Sequence, residues 1–197
     1  MNSEHSRSDR IVLAVLGIWF LVALILGASG VTQRLRPPAP QIVLATLSLL
    51  TLGALWFVPS IHRWAMQVDL RVFVAFHLTR FVGIYFLILY QRGELPYEFA
   101  VYGGWGDILV ATLAIGLLAF KPAVGGKRLL YRAWNIIGLA DILYVVVTAA
   151  KLATADPISM APLLRLPLSL LPTFVVPIII ASHVWLFARL AAIPPED

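Results

Sequence analysis

The chain contains no cysteine. That excludes disulfides, iron–sulfur clusters, c-type haem attachment and thiolate zinc sites, and it leaves the redox compartment open. Charge is the second shortage: Asp, Glu, Lys and Arg make up 13% of 197 residues, against 60% hydrophobic, and mean hydropathy is +0.89. A soluble domain of this length cannot bury so much apolar surface, so the composition is that of a polytopic membrane protein. Also missing are a P-loop, a dinucleotide fingerprint, a G-x-S-x-G nucleophile and an H-E-x-x-H zinc helix. The chemistries those motifs carry therefore lack their residues. The formal net charge of +5 resembles a nucleic-acid signal only until the charges are mapped. They lie between apolar runs, where the positive-inside rule explains them, and no nucleic-acid partner is expected.

What the chain does have is six apolar runs: Ile11–Ala28, Gln41–Ser60, Leu70–Gln91, Phe99–Phe120, Ala133–Ala153 and Leu168–Ala191. Each is close to the roughly 20 residues that a helical crossing requires. The connections are short and no run alternates apolar with polar, which argues against membrane β-strands. The expected fold is all-α: a six-transmembrane-helix bundle forming one domain over residues 11–193, between polar tails at 1–10 and 194–197. The opening stretch shares features with a signal peptide, ending in Ala28-Ser29-Gly30, but its apolar run is long for one and reads as a retained first helix.

Orientation follows from the basic residues. Arg7, Arg10, Arg63, Arg71, Lys121, Lys127, Arg128, Arg132 and Arg189 fall on one side; Arg34, Arg36, Arg92, Lys151 and Arg165 fall on the other. The excess assigns both termini to the cytoplasm, and the location to the inner membrane of a bacterium. Trp19, Trp56, Trp64, Trp134 and Trp185 lie mostly toward span ends, as interfacial belts do. Pro172 and Pro177 fall inside the sixth span, where they free the carbonyls of Leu168 and Thr173 and create a need for partners.

Against this background the segment DLRVFVAFHLTRFVGIYFLILYQ, Asp69–Gln91, is anomalous, because it carries His77 and Arg80. A central arginine costs about 2.5 kcal/mol or more in a bilayer and persists only with a partner, a cavity or a ligand. Further polar groups lie in the fourth span (Asp107), the fifth (Asn135, Asp141) and the sixth (His183). Counting along each span at about 1.5 Å per residue brings His77, His183 and Asp141 to one depth, with Arg80 a turn deeper and Asp107 beyond it. His77 and Arg80, three apart, share a face.

Two imidazoles at matched depth on separate helices are the pattern of axial ligands to a b-type haem, with Arg80 on a propionate. His77, His183 and Asp141 are equally the pattern of a two-His-one-carboxylate site for a divalent metal. Arg80, Asp107 and Asn135 then balance charge. A haem or metal implies an electron-transfer role or a redox-partner subunit in the lipid bilayer, as a monomer or homodimer. The alternatives are a proton- or anion-coupled transporter or channel, an intramembrane enzyme acting on a lipid or isoprenoid with Asp107 or Asp141 as general acid, and a structural subunit of a membrane complex. The structural reading of Arg80 is a salt bridge to Asp107 or Asp141 that fixes helix packing, but buried salt bridges stabilise poorly, and two carboxylates with two imidazoles exceed what one packing contact needs. His62, beside Arg63, reads as interfacial. The stretches from Leu95-Pro96 to Asp107, Trp134 to Asp141 and Pro172 to His183 resemble a group of small bacterial membrane proteins with six spans. That resemblance implies the six-span fold and carries no activity with it.

Overall fold

A computed structural model of the chain describes residues 2–119 and 128–192. All regular structure among these residues is helical. Six helical stretches are long and apolar enough to cross a membrane: Ser8–Ala28, Ala39–Phe57, Leu70–Gln91, Tyr97–Ala119, Arg128–Ala155 and Leu171–Ala192. They match the six expected runs to within a few residues. The polar start departs from expectation: helix α1 runs Asn2–Ala28 instead of emerging from a frayed tail over 1–10. Adding turns to an existing helix is far easier than nucleating one. The expected tail Pro194–Asp197, with Lys121 and Lys127 of the fourth loop, lies outside the described residues.

Sequence suggests one bundle; the chain forms two compact units, residues 1–68 with 161–181, and residues 69–160 with 182–197. The first unit contains α1, α2 (Ala39–Phe57), α3 (Pro59–Gln67) and the opening of α8 (Val176–Ala192). The second run was expected to reach Ser60, but Pro59 cannot donate into α2 and becomes the first residue of α3. His62 Nδ1 donates to the Leu55 carbonyl at 2.9 Å, tying that corner together. A π-helical turn at Leu171–Val175 precedes α8. The two carbonyls expected to need partners both have them. Leu168 O accepts from Leu171 N at 2.9 Å, and Thr173 O accepts from Trp19 Nε1 at 2.8 Å. Trp19 and Phe20 set their ring edges against Phe174, and Thr32 Oγ1 donates to Leu164 O at 2.7 Å.

The second unit holds α4 (Leu70–Phe76), a 3-10 segment (His77–Phe81), α5 (Val82–Gln91), α6 (Tyr97–Ala119), α7 (Arg128–Ala155) and the remainder of α8. The Asp69 side chain caps α4 by accepting from Arg71 N at 2.9 Å. Gly93, at φ +71, stops α5, with Glu94 N bonded to Leu89 O and Gly93 N to Tyr90 O; this is the left-handed ending that glycine favours. Phe86, Leu89, Phe99, Val110, Ala111 and Ala114 form the core. Arg71 Nη2 donates to the Leu118 carbonyl at 2.9 Å, supplying a cation at the C-terminal end of α6.

The crossing of α5 on α6 positions the centre described below. A Cβ on Gly104 would stand 2.9 Å from the Gly83 carbonyl oxygen, and one on Gly83 would collide with the Gly104 carbonyl. Backbone therefore meets backbone there, which only glycine permits. On the other side of α6, Trp134 Nε1 donates to Val110 O at 3.1 Å, and Gly103 faces Val145.

Candidate functional site: a buried charge centre beside an imidazole pair

The third span changes winding where its polar residues lie. Over His77–Phe81 it is a 3-10 helix, in which residues three apart eclipse one another. His77 and Arg80 therefore project from one line. Arg80 lies three residues before Gly83 and Asp107 three residues after Gly104, so the glycine crossing brings the two side chains together. Arg80 Nε donates to Asp107 Oδ1 at 2.6 Å. Arg80 Nη1 donates to the Gly138 carbonyl at 2.9 Å, and Nη2 to Asp141 Oδ2.

One guanidinium thus joins the third span to α6 and α7, and each of its nitrogens is engaged by the chain's own acceptors. The side chains of Arg80 and Asp107 are 1% and 4% exposed, that of Asp141 14%. Asp141 is the member nearest the surface. Gly106 makes its position possible, since a Cβ there would overlap the carboxylate.

Beside this centre stand two imidazoles, both wholly buried. Asn135 fixes one of them. Its Nδ2 donates to the backbone carbonyl of His183 at 2.9 Å, which turns its Oδ1 toward His183 Nδ1 at 2.7 Å. An amide oxygen only accepts, so His183 Nδ1 carries a proton, and in the neutral ring Nε2 holds the lone pair. His77 Nε2 bonds Ser182 Oγ at 3.0 Å. The two rings lie 4.2 Å apart between centroids, tilted by 51°, with the Trp134 ring against both. His77 Nδ1 and His183 Nε2 are buried and without a hydrogen-bond partner. Gly138 links the two groups: its carbonyl binds Arg80, and a Cβ on it would lie 2.8 Å from His183 Nε2.

The depths expected from sequence are met in part. His77 does meet His183, and Arg80 does meet Asp107. Asp141 joins Arg80 in place of the imidazole layer, and Asn135 holds His183 in place of balancing charge. Three contributors escaped the sequence reading. Trp134, assigned to the interface, is buried at 2% exposure; its spacing from Gly138 and Asp141 on one helical face was the available signal. Ser182 and the Gly138 carbonyl carry no signal in sequence.

The ring geometry bears on the cofactor reading. Imidazoles on opposite faces of one iron, with bonds of about 2.0 Å, have centroids roughly 6 Å apart. At 4.2 Å the pair does not fit an axial haem without separating. Asp141, the third donor of the two-His-one-carboxylate reading, is bonded to Arg80. Among the described residues no group of three or more His, Asp or Glu side chains is disposed to hold a metal ion.

Six helices have the length and apolar composition of a multi-pass helical membrane protein, and a buried ionic centre lies within the second unit. Within that class, the chain belongs to the family defined by a domain of unknown function, DUF8737, whose model matches residues 37–191. Comparison with curated proteins and with solved structures gave no match.

Proposed function

We propose that this is a proton-coupled membrane transporter of the bacterial inner membrane, with both termini in the cytoplasm and with Arg80, Asp107 and Asp141 as its proton-binding centre. The observation that carries this reading is the charge count: two carboxylates share one guanidinium. With all three ionised the centre holds one uncompensated negative charge, which a membrane interior tolerates poorly. One proton on either carboxylate restores neutrality without moving a helix. The His183 lone pair and the unpartnered His77 nitrogen lie next to this centre and offer the proton further positions.

One feature supports transport over a purely structural lock: the third span winds as a 3-10 segment where Arg80 leaves it. Interrupted spans accompany ion sites in transporters. Binding of an external anion by Arg80 is disfavoured, because two carboxylates already accompany its single positive charge.

The test is infrared difference spectroscopy of the purified protein on acidification. A carboxylic-acid carbonyl band should appear in the wild type and vanish in Asp107→Asn or Asp141→Asn. No such band at any pH at which the protein stays folded would overturn the reading. A second reading, a haem or divalent metal on His77 and His183, is favoured by the two unpartnered nitrogens alone. A Soret band or a stoichiometric metal lost in both His→Ala variants would establish it.

A further inference from the structure

We propose that Asp141 opens onto a groove between α6 and α7 that binds a hydrophobic amine in its protonated form. This rests on the proton reading and names the substrate that the proton exchanges with. Asp141 is the only acid of the centre with appreciable exposure, 14% against 4% for Asp107. Intramembrane carboxylates normally face a protein interior or an aqueous cavity, so a carboxylate reaching the surface of the second unit calls for something to cover it.

The register of the two helices defines what surrounds it. Gly103 faces Val145, Gly106 faces Asp141, and Val110 faces Gly138. Positions four before and three after Gly106 on α6 are Tyr102 and Leu109; the same offsets from Asp141 on α7 give Ile137 and Tyr144. All four lie on the outer side, at 54%, 52%, 43% and 44% exposed. The register thus gives an apolar outer face on α6 and α7, with two tyrosines and the part-exposed carboxylate of Asp141 along the line where the helices meet.

Charge and wall chemistry select the occupant. With both carboxylates ionised the centre carries one negative charge in excess, so the ligand is a monocation. Alkali and alkaline-earth ions require a shell of about six oxygens, whereas this groove offers one carboxylate among apolar walls. A protonated amine needs only the carboxylate, an aromatic face and apolar contact for its remainder. A second copy of the chain does not satisfy the site. The exposed stripe through Tyr102, Trp105, Leu109 and Leu113 on α6, and Ile137, Ala140 and Tyr144 on α7, contains no Lys or Arg. Self-association through it would leave Asp141 facing apolar side chains. Because ammonium and proton neutralise the same carboxylate, binding of one expels the other, which is the coupling that exchange transport requires.

The experiment uses the full chain in lipid nanodiscs, with dansylcadaverine as the fluorescent amine and its N-acetyl derivative as the uncharged control. Saturable binding is expected for the amine and not for the acetylated probe. Asp141→Asn should weaken it about tenfold or more, as removal of a desolvated ion partner does. Leu109→Trp fills the groove while sparing the charge centre and should also abolish binding, which covers the case in which Asp141→Asn fails to fold. Acidification should release the amine. Equal binding of the two probes, or unchanged affinity in both variants, overturns the proposal. The infrared band of the same wild-type sample separates the two levels. Proton uptake without amine binding refutes the groove and keeps the proton centre; amine binding without proton uptake refutes exchange.

Discussion

The two compact units are both helical, yet they satisfy their buried polar groups in different ways. In the first, three backbone carbonyls are each met by one side chain: Trp19 on Thr173 O, Thr32 on Leu164 O, His62 on Leu55 O. In the second, the demand comes from an ionised side chain, and it takes Arg80, two carboxylates and a carbonyl to close it. Burial separates the spans only in part: the third and fourth are 39% buried, whereas the fifth, at 17%, matches the first, and the second is at 11%. A broken helix in an apolar layer thus asks for one donor. A charge asks for a network.

Removing the cation should have the largest effect. Arg80→Met leaves Asp107 and Asp141 facing each other without a counter-charge, at a cost of about 3–5 kcal/mol, read as a lowered midpoint of thermal unfolding in detergent. Combining it with Asp107→Asn and Asp141→Asn should recover most of that loss. If Arg80→Met unfolds like the wild type, the centre is not an ionic network and the contrast between the units collapses.

Glycine substitutions sharpen the contrast next. Gly104→Ala drives a methyl group against the Gly83 carbonyl, a clash between backbones that no side chain can relieve, and should cost about 3 kcal/mol. Gly53→Ala in the first unit meets nothing within 4 Å and should stabilise its helix by up to about 1 kcal/mol. The same thermal assay distinguishes them by sign. Between these lies Asn135→Ala, which strips His183 Nδ1 of its acceptor. An orphaned buried donor costs about 2 kcal/mol, and the loss should be accompanied by a changed imidazole tautomer in the nitrogen NMR shifts of His183.

Much of the fold was legible because a membrane leaves few choices. Six runs of the right length gave six helices, and Pro59 marked the one boundary it moved. The meeting of Arg80 with Asp107 was legible as well, from charge and depth. The destination of Asp141 was not: depth places it within one turn of both His183 and Arg80, and the decision falls to Gly106, which lets the carboxylate settle against α6. Likewise HLTRF contains neither proline nor glycine, so nothing local announces its 3-10 winding; the packing around Gly83 and Gly104 sets it. The division into two units depends on contacts between distant segments and leaves no trace in hydropathy.

The smallest expected effect tests whether the first unit is as undemanding as the contrast implies. Trp19→Phe keeps an aromatic ring to face Phe174 but deletes the indole N–H that reaches Thr173 O. Pro177 withholds the backbone donor that a regular helix would supply to that carbonyl four residues on. The carbonyl then depends on the remaining turn geometry, and the loss should be about 1 kcal/mol, the net value of one neutral hydrogen bond. A cost equal to that of Arg80→Met would mean that the π turn carries strain which Trp19 alone restrains, and the first unit would then be a second functional element instead of a scaffold. A cost near zero would mean that the turn satisfies itself, and that the two units differ still more than their bonding patterns indicate.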